Sequence, residues 1–242
     1  MNKFKNGILF EDFDSYVRKP LDRKSRDRWR EQKRKNFGLE LCKNAIKSGK
    51  YGMPLLKAYF DSLPDYFVTF SEMGNGNSDT GVICTDYDFE LDKLWNNPEK
   101  YIKALANYKC FAEPDFSLWV GSPLSVQIAN TLRSHVISFF AQEHSINVLP
   151  NMTWSDARSY EFCFDGHSKG GAVLVSTIGT LKDERSLMYF RNGFMEMLKR
   201  ISPDAVVLYG DVNEKILSWM PAQLHINIVE HNRFLRARKY GR

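Results

Sequence analysis

The sequence predicts an α/β protein built mainly from parallel strand–helix repeats. Short runs rich in β-branched and aromatic residues alternate with amphipathic helical stretches over more than half of the 242 residues. Two of those runs, 172–177 (AVLVST) and 205–209 (AVVLY), are apolar almost throughout, as strands covered on both faces are. Hydrophobic residues make up 43% of the chain and aromatics 14%, enough to fill a sizeable core.

In chain order, residues 1–65 read as an N-terminal helical region. It holds a basic arm at 18–35 and a helix over about 22–48, with Trp29, Leu41, Ala45 and Ile46 as inward positions and Gly49 as its stop. A short helix is expected over 54–60, bounded by Pro54 and Pro64. The α/β core spans 66–232. Strands are expected at 66–71 (YFVTFS) and 81–86 (GVICTD), and the Gly/Asn-rich run between them fits a hairpin. Asn97, Pro98 and Glu99 read as cap, first position and first-turn acid of a helix to about 107. A strand at 110–116 follows, then a helix opened by Ser122 and Pro123. Its apolar residues Leu124, Ile128, Leu132, Val136 and Phe140 recur every four positions. Next come a strand at 146–153, a short helix at 156–164, a strand at 172–177 and a helix at 183–201. A strand at 205–209, a short helix at 213–219 and a strand at 225–229 complete the core, and 233–242 form a basic tail.

Two architectures fit seven such strands. One is (βα)-barrel-like and incomplete; the other is an open doubly wound sheet. The barrel-like reading is preferred, because strand–helix spacing is even and no glycine-rich dinucleotide turn follows a strand.

The formal net charge of +5 is unevenly spread. Residues 18–35 hold ten bases and three acids, the last ten residues hold five bases and no acid, and 36–232 is net acidic. Cationic ends favour polyanions. In the arm, Arg23, Lys24, Arg26, Arg28, Arg30, Lys33 and Arg34 suit phosphates, and Trp29 suits an exposed base. A solvated helix face explains the same residues without a ligand. No apolar run approaches a membrane span and no secretory leader is evident, so a cytoplasmic protein without a membrane partner is expected. The four cysteines show no metal spacing and read as buried thiols. None of the five histidines pairs with another at short helical spacing, so no His-rich zinc site is expected, and His135 reads as structural.

Ligands bind at the carboxyl ends of parallel strands in both architectures. Those ends carry Asp86, Asp115, Asp156 and Asp211. Convergent carboxylates can hold Mg²⁺ or Mn²⁺, or act as general acid and base. Trp154 would wall such a pocket, and Ser176 and Thr177 would contact phosphate. Helix capping explains Asp156 and Asp211 equally well. The loop 176–180 could hold a phosphate ahead of a helix, although Thr180 and Asp183 also resemble a capping box. No Walker-type loop and no nucleophile elbow is present.

The stretch Pro114-Asp-Phe-Ser117, with Pro123-Leu124, Gln127-Ile128, Trp154-Ser-Asp156, Phe162-Cys-Phe-Asp-Gly166, Val175-Ser-Thr-Ile-Gly179, Tyr209-Gly210 and an upstream Leu94-Trp-Asn-Asn-Pro98, resembles an uncharacterised family. That family is a domain of unknown function found in bacteriophages and mobile elements of Gram-positive bacteria. The resemblance implies a gene acting inside a bacterial host and supplies no activity or site residue. Where the family holds glycine after Asp165, this chain has His167 and Ser168. The leading expectation is a nucleic-acid-associated, metal-assisted hydrolase of phosphodiesters or nucleotides. The alternative is a non-catalytic protein that binds DNA or a host replication or defence component. A phage protein partner fits the same context.

Overall fold

Seven parallel strands follow one another in chain order and carry the fold. The structure is a computed structural model that describes residues 38–74 and 76–229. One sheet is ordered β3-β4-β5-β6, formed by β3 (Tyr66–Thr69), β4 (Thr80–Ile83), β5 (Cys110–Ala112) and β6 (Val148–Leu149). A second is ordered β7-β8-β9, formed by β7 (Ala172–Ser176), β8 (Ala205–Tyr209) and β9 (His225–Val229). All pairings in both are parallel. A single parallel bridge, Asn151 to Leu174, links β6 to β7. There the Met152 amide donates to the Leu174 carbonyl at 2.8 Å, and the Leu174 amide to the Pro150 carbonyl at 2.8 Å. Two further strands, β1 (Lys47–Ser48) and β2 (Met53–Pro54), pair antiparallel.

The α-helices described are α1 (Asp88–Asn96), α2 (Pro98–Leu105), α3 (Leu124–Glu143), α4 (Glu184–Ile201) and α5 (Glu214–Leu217). Side-chain alternation along the strands decides what each face meets. From the first sheet, Val82, Phe111 and Val148 pack with Leu91, Leu94, Ile102, Leu105, Val136 and Ile137 of α1, α2 and α3. From the second, Val173, Val175, Val206 and Leu208 pack with Phe190, Phe194, Met197 and Ile216 of α4 and α5. The opposite faces share one cluster fed by all seven strands, including Phe67, Ile83, Ala112, Leu149, Leu174, Val207 and Val229. Among the described residues no pairing joins β9 back to β3, so no closed ring of strands is formed.

The α/β class and the parallel pairing agree with the sequence. Three local expectations are corrected, and one helix was not foreseen. The β3–β4 pair is parallel, not a hairpin. A 3-10 helix at Phe70–Glu72 starts the return loop, so the chain re-enters the sheet in the same direction. The described part of the stretch expected as helix over 22–48 is a 3-10 helix, Leu39–Cys42, followed by β1. The stretch 54–60 is extended, because its backbone bonds elsewhere. The Leu56 amide donates to the Gly166 carbonyl and the Tyr59 carbonyl accepts from Ala172, each at 2.7 Å. Finally, α1 was not foreseen, although Leu91, Leu94 and Trp95 stand at helical spacing and are buried. The short helix expected at 156–164 is present as a 3-10 helix, Ala157–Glu161. All four cysteines are buried and free.

Candidate functional site

The carboxyl ends of β4, β5, β6 and β7 open onto one cleft of about 760 Å³. Each strand delivers its residues as it leaves the sheet. Beyond β4 come Thr85, Asp86 and Tyr87; beyond β5, Asp115, Ser117 and Trp119; beyond β6, Thr153 and Trp154; at and beyond β7, Ser176 and Gly179. Lys182 and the α4 residue Tyr189 complete the wall opposite.

Asp86 is buried, and its Oδ1 accepts from the Ser71 hydroxyl at 2.6 Å. Its Oδ2 accepts from the Ser71 amide at 3.4 Å. Asp115 accepts from the Thr153 hydroxyl at 2.7 Å. Burial pushes its carboxyl up to about 6, with the nearby Asp88 and Glu113 adding to the rise and the Thr153 bond opposing it. The Thr85 hydroxyl is buried and has no hydrogen-bond partner among the described residues. Trp154 stacks on Phe190 with ring centroids 5.7 Å apart and donates its indole N–H to the Tyr189 carbonyl at 3.1 Å. Gly193 makes this placement possible, since a Cβ there would lie 2.1 Å from the indole nitrogen. Trp119 and Tyr87 stand at the mouth, 70% and 74% exposed.

Thus Asp86, Asp115, Trp154 and Ser176 line one cleft. Thr177 lies behind it, donating to the Asp211 carbonyl at 2.8 Å. Asp156 does not line the cleft. It caps the 3-10 helix through the Arg158 amide at 3.0 Å and pairs with the Arg158 guanidinium at 2.7 Å. That bond holds its carboxyl below the usual value. Asp211 is exposed and outside the lining, and the residue that caps α5 is Asn213. At α4 the cap is Asp183, accepting from the Ser186 amide at 2.7 Å, while Thr180 donates to the Thr177 carbonyl. Arg23, Lys24, Arg26, Arg28, Trp29, Arg30, Lys33, Arg34 and the tail lie outside the described residues.

Sequence reasoning missed a second constellation. Glu113 follows β5, His135 sits mid-way along α3, and His167 lies in the loop before β7. Their potential ligand atoms all fall within 4.8 Å of one another, so the group could hold a metal ion. His167 Nε2 and Glu113 Oε2 are 2.8 Å apart, and His135 Nε2 is 3.9 Å from Glu113 Oε1. The three side chains are only 1–2% exposed. His135 Nδ1 lies 3.0 Å from the Pro54 carbonyl. Burial pushes the His135 imidazole down to about 4, despite Glu113 beside it. Burial also pushes Glu113 up, but the two imidazoles outweigh it and its carboxyl ends below the usual value. The three residues are 22 and 32 positions apart in sequence, so no spacing rule reveals them. Two histidines that share no short sequence spacing are thus brought together in the fold.

Among the described residues no helix is long and apolar enough to cross a membrane. No solved structure matches the chain. Among curated relatives, the Gene 1 protein of Mycobacterium phage L5 is 30% identical over 125 residues, covering 52% of this chain and 55% of that protein. The Gene 1 protein of Mycobacterium phage D29 is 31% identical over 123 residues, covering 51% of this chain and 46% of that protein. The chain therefore spans about half the length of the curated relatives it matches. The model of a family described as a domain of unknown function, DUF4417, matches residues 45–228, which takes in both constellations, and the chain belongs to that family.

Proposed function

We propose that the protein is a phage hydrolase that takes a nucleotide or a phosphodiester in the strand-end cleft. The observation that carries this reading is the convergence of Asp86, Asp115, Trp154 and Ser176 from consecutive strand ends on one cleft of about 760 Å³, within the usual range for small-molecule sites. Trp154 and Trp119 offer aromatic faces to a base. Lys182 and Ser176 offer a cation and a hydroxyl to phosphate, and Thr177 braces the strand end behind them. Asp86 and Asp115 are the reacting carboxylates. Two carboxylates together with substrate phosphates suffice for Mg²⁺ or Mn²⁺, which would neutralise charge on the phosphate. Asp156 and Asp211 take supporting parts, the first through its cap and the second through its carbonyl. Sequential strand order and the single inner cluster support a barrel-like sheet left open between β9 and β3. The basic arm, with Arg23, Lys24, Arg26, Arg28, Trp29, Arg30, Lys33 and Arg34, and the tail would recruit nucleic acid inside the bacterial host cell.

The test is a screen of nucleotides and short oligonucleotides with Mg²⁺ or Mn²⁺, followed by Asp115→Asn. Turnover should fall roughly 100-fold or more in that variant. Full turnover in a folded Asp115→Asn would remove Asp115 from the chemistry. A second reading, a non-catalytic binder of DNA or of a host or phage protein, is favoured by one observation: Ser71 occupies both oxygens of Asp86. It predicts binding that survives Asp115→Asn and weakens steeply with salt.

A further inference from the structure

Glu113, His135 and His167 form a buried group whose polar atoms are incompletely used. Among the described residues, Glu113 Oε1, His135 Nε2 and His167 Nδ1 have no hydrogen-bond partner. Three unmatched polar atoms in one buried cluster are costly unless something else is bound there. The secondary contacts fit a metal site. With its proton on Nδ1, His135 donates to the Pro54 carbonyl at 3.0 Å, leaving Nε2 as a lone pair aimed towards Glu113. Fixing the far ring nitrogen on a backbone carbonyl is the usual way a protein orients an imidazole ligand. Asn151 adds a further polar group. Its backbone amide donates to Glu113 Oε2 at 3.3 Å, and its buried side-chain amide has no partner among the described residues.

We propose that Glu113, His135 and His167 bind one divalent transition-metal ion, Zn²⁺ or its chemical neighbours, in a closed structural site. Two imidazole nitrogens and one carboxylate oxygen suit Zn²⁺, Co²⁺, Fe²⁺ or Ni²⁺ and disfavour Mg²⁺ and Ca²⁺, which take oxygen. The three side chains are only 1–2% exposed, which suits an ion that holds the fold together. The ion ties three pieces of chain that share no secondary structure: the end of β5, the middle of α3 and the loop before β7. Gly166 brings that loop within reach. It has φ +80°, and a Cβ there would lie 2.8 Å from the His135 ring and 2.7 Å from the Pro54 carbonyl. This site is separate from the strand-end cleft, and its assignment stands whether or not the cleft is catalytic.

The experiment uses the full chain stripped with a chelator, then titrated with Zn²⁺ and separately with Co²⁺. One ion should bind per chain, raise Tm, and resist a large excess of Mg²⁺. Bound Co²⁺ should give visible absorption of low-symmetry coordination. Cu²⁺ loaded into the wild-type protein should show two nitrogen couplings by paramagnetic resonance, which identifies the imidazoles without any substitution. Glu113→Gln and His167→Ala should each weaken Zn²⁺ binding roughly 100-fold or more. His144→Ala, an exposed histidine of the α3 terminus, should leave it unchanged. Failure of the folded wild-type chain to bind Zn²⁺ and Co²⁺ stoichiometrically would overturn the assignment, and so would a Cu²⁺ spectrum without nitrogen coupling or undiminished binding in a folded His167→Ala.

Discussion

Individual residues in this protein act mostly by closing local accounts of hydrogen bonds. Asp156 caps a 3-10 helix and pairs with Arg158, whose guanidinium holds its carboxyl below the ordinary value of 3.8. The sign follows from linkage. A depressed carboxylate contributes stability above its unfolded value, and that contribution fades as pH falls through the folded one. Asp156→Ala should therefore cost about 1 kcal/mol at pH 7, and the gap to wild type should shrink as the solution is acidified below 3.8. Urea unfolding at several pH values measures it, and a gap that widens in acid would contradict the cap. Gly166 is constrained from two sides, by φ +80° and by the Pro54 carbonyl. Gly166→Ala should lose more than about 1 kcal/mol, with the loop carrying His167 displaced from His135.

At the scale of elements, α3 does more than cover the sheet. Its buried Gln127 donates to the Ser122 carbonyl at 2.9 Å and the Trp119 carbonyl at 3.3 Å, and accepts from the Ser155 hydroxyl at 2.6 Å. One side chain thus fixes both the 117–122 loop and the exit of β6, two walls of the cleft. Gln127→Leu keeps volume but strands those partners, at a cost of roughly 1–3 kcal/mol for each group left buried and unmatched. Amide exchange in 117–122 should accelerate more than in β8, and equal acceleration would point to general destabilisation. Helix α4 contributes through an absence. Gly193→Ala should push Trp154 off Phe190 into the cleft, weakening ligand binding while the α4 hydrogen bonds persist. Trp154 emission and a binding titration would report the two effects together. Periodicity made α3 and α4 readable, because their apolar stripes are long. It missed α1, whose nine residues carry Asp, Glu and Lys on the outer side and read as a polar stretch. It also mistook β3–β4 for a hairpin, since a Gly/Asn-rich run marks a turn without fixing the direction of return.

Over the whole molecule, sequence order translated into spatial order. Strand ends could be placed because parallel repeats deliver them to one rim, which is why Asp86, Asp115, Trp154 and Ser176 were found together. The Glu113 cluster stayed hidden for the complementary reason: its members meet across the layer between sheet and α3, where contacts are set by packing and leave no period in the sequence. Asp156 and Asp211 show the limit of counting acids at strand ends, because one acid caps a short helix and the other lends its carbonyl.

The two sheets meet through one bridge, Asn151 to Leu174, while every neighbouring pair of strands elsewhere shares at least two register partners. The cleft straddles that seam, with Asp86 and Asp115 on one bank and Ser176 on the other. Anything lodged there acts as a clasp across a seam where strand pairing, among the described residues, is a single bridge. Occupancy should then slow amide exchange at Met152 and Leu174 more than at the ends of β8, and a protein whose seam exchanges at the same rate full or empty would have a clasp that fastens nothing.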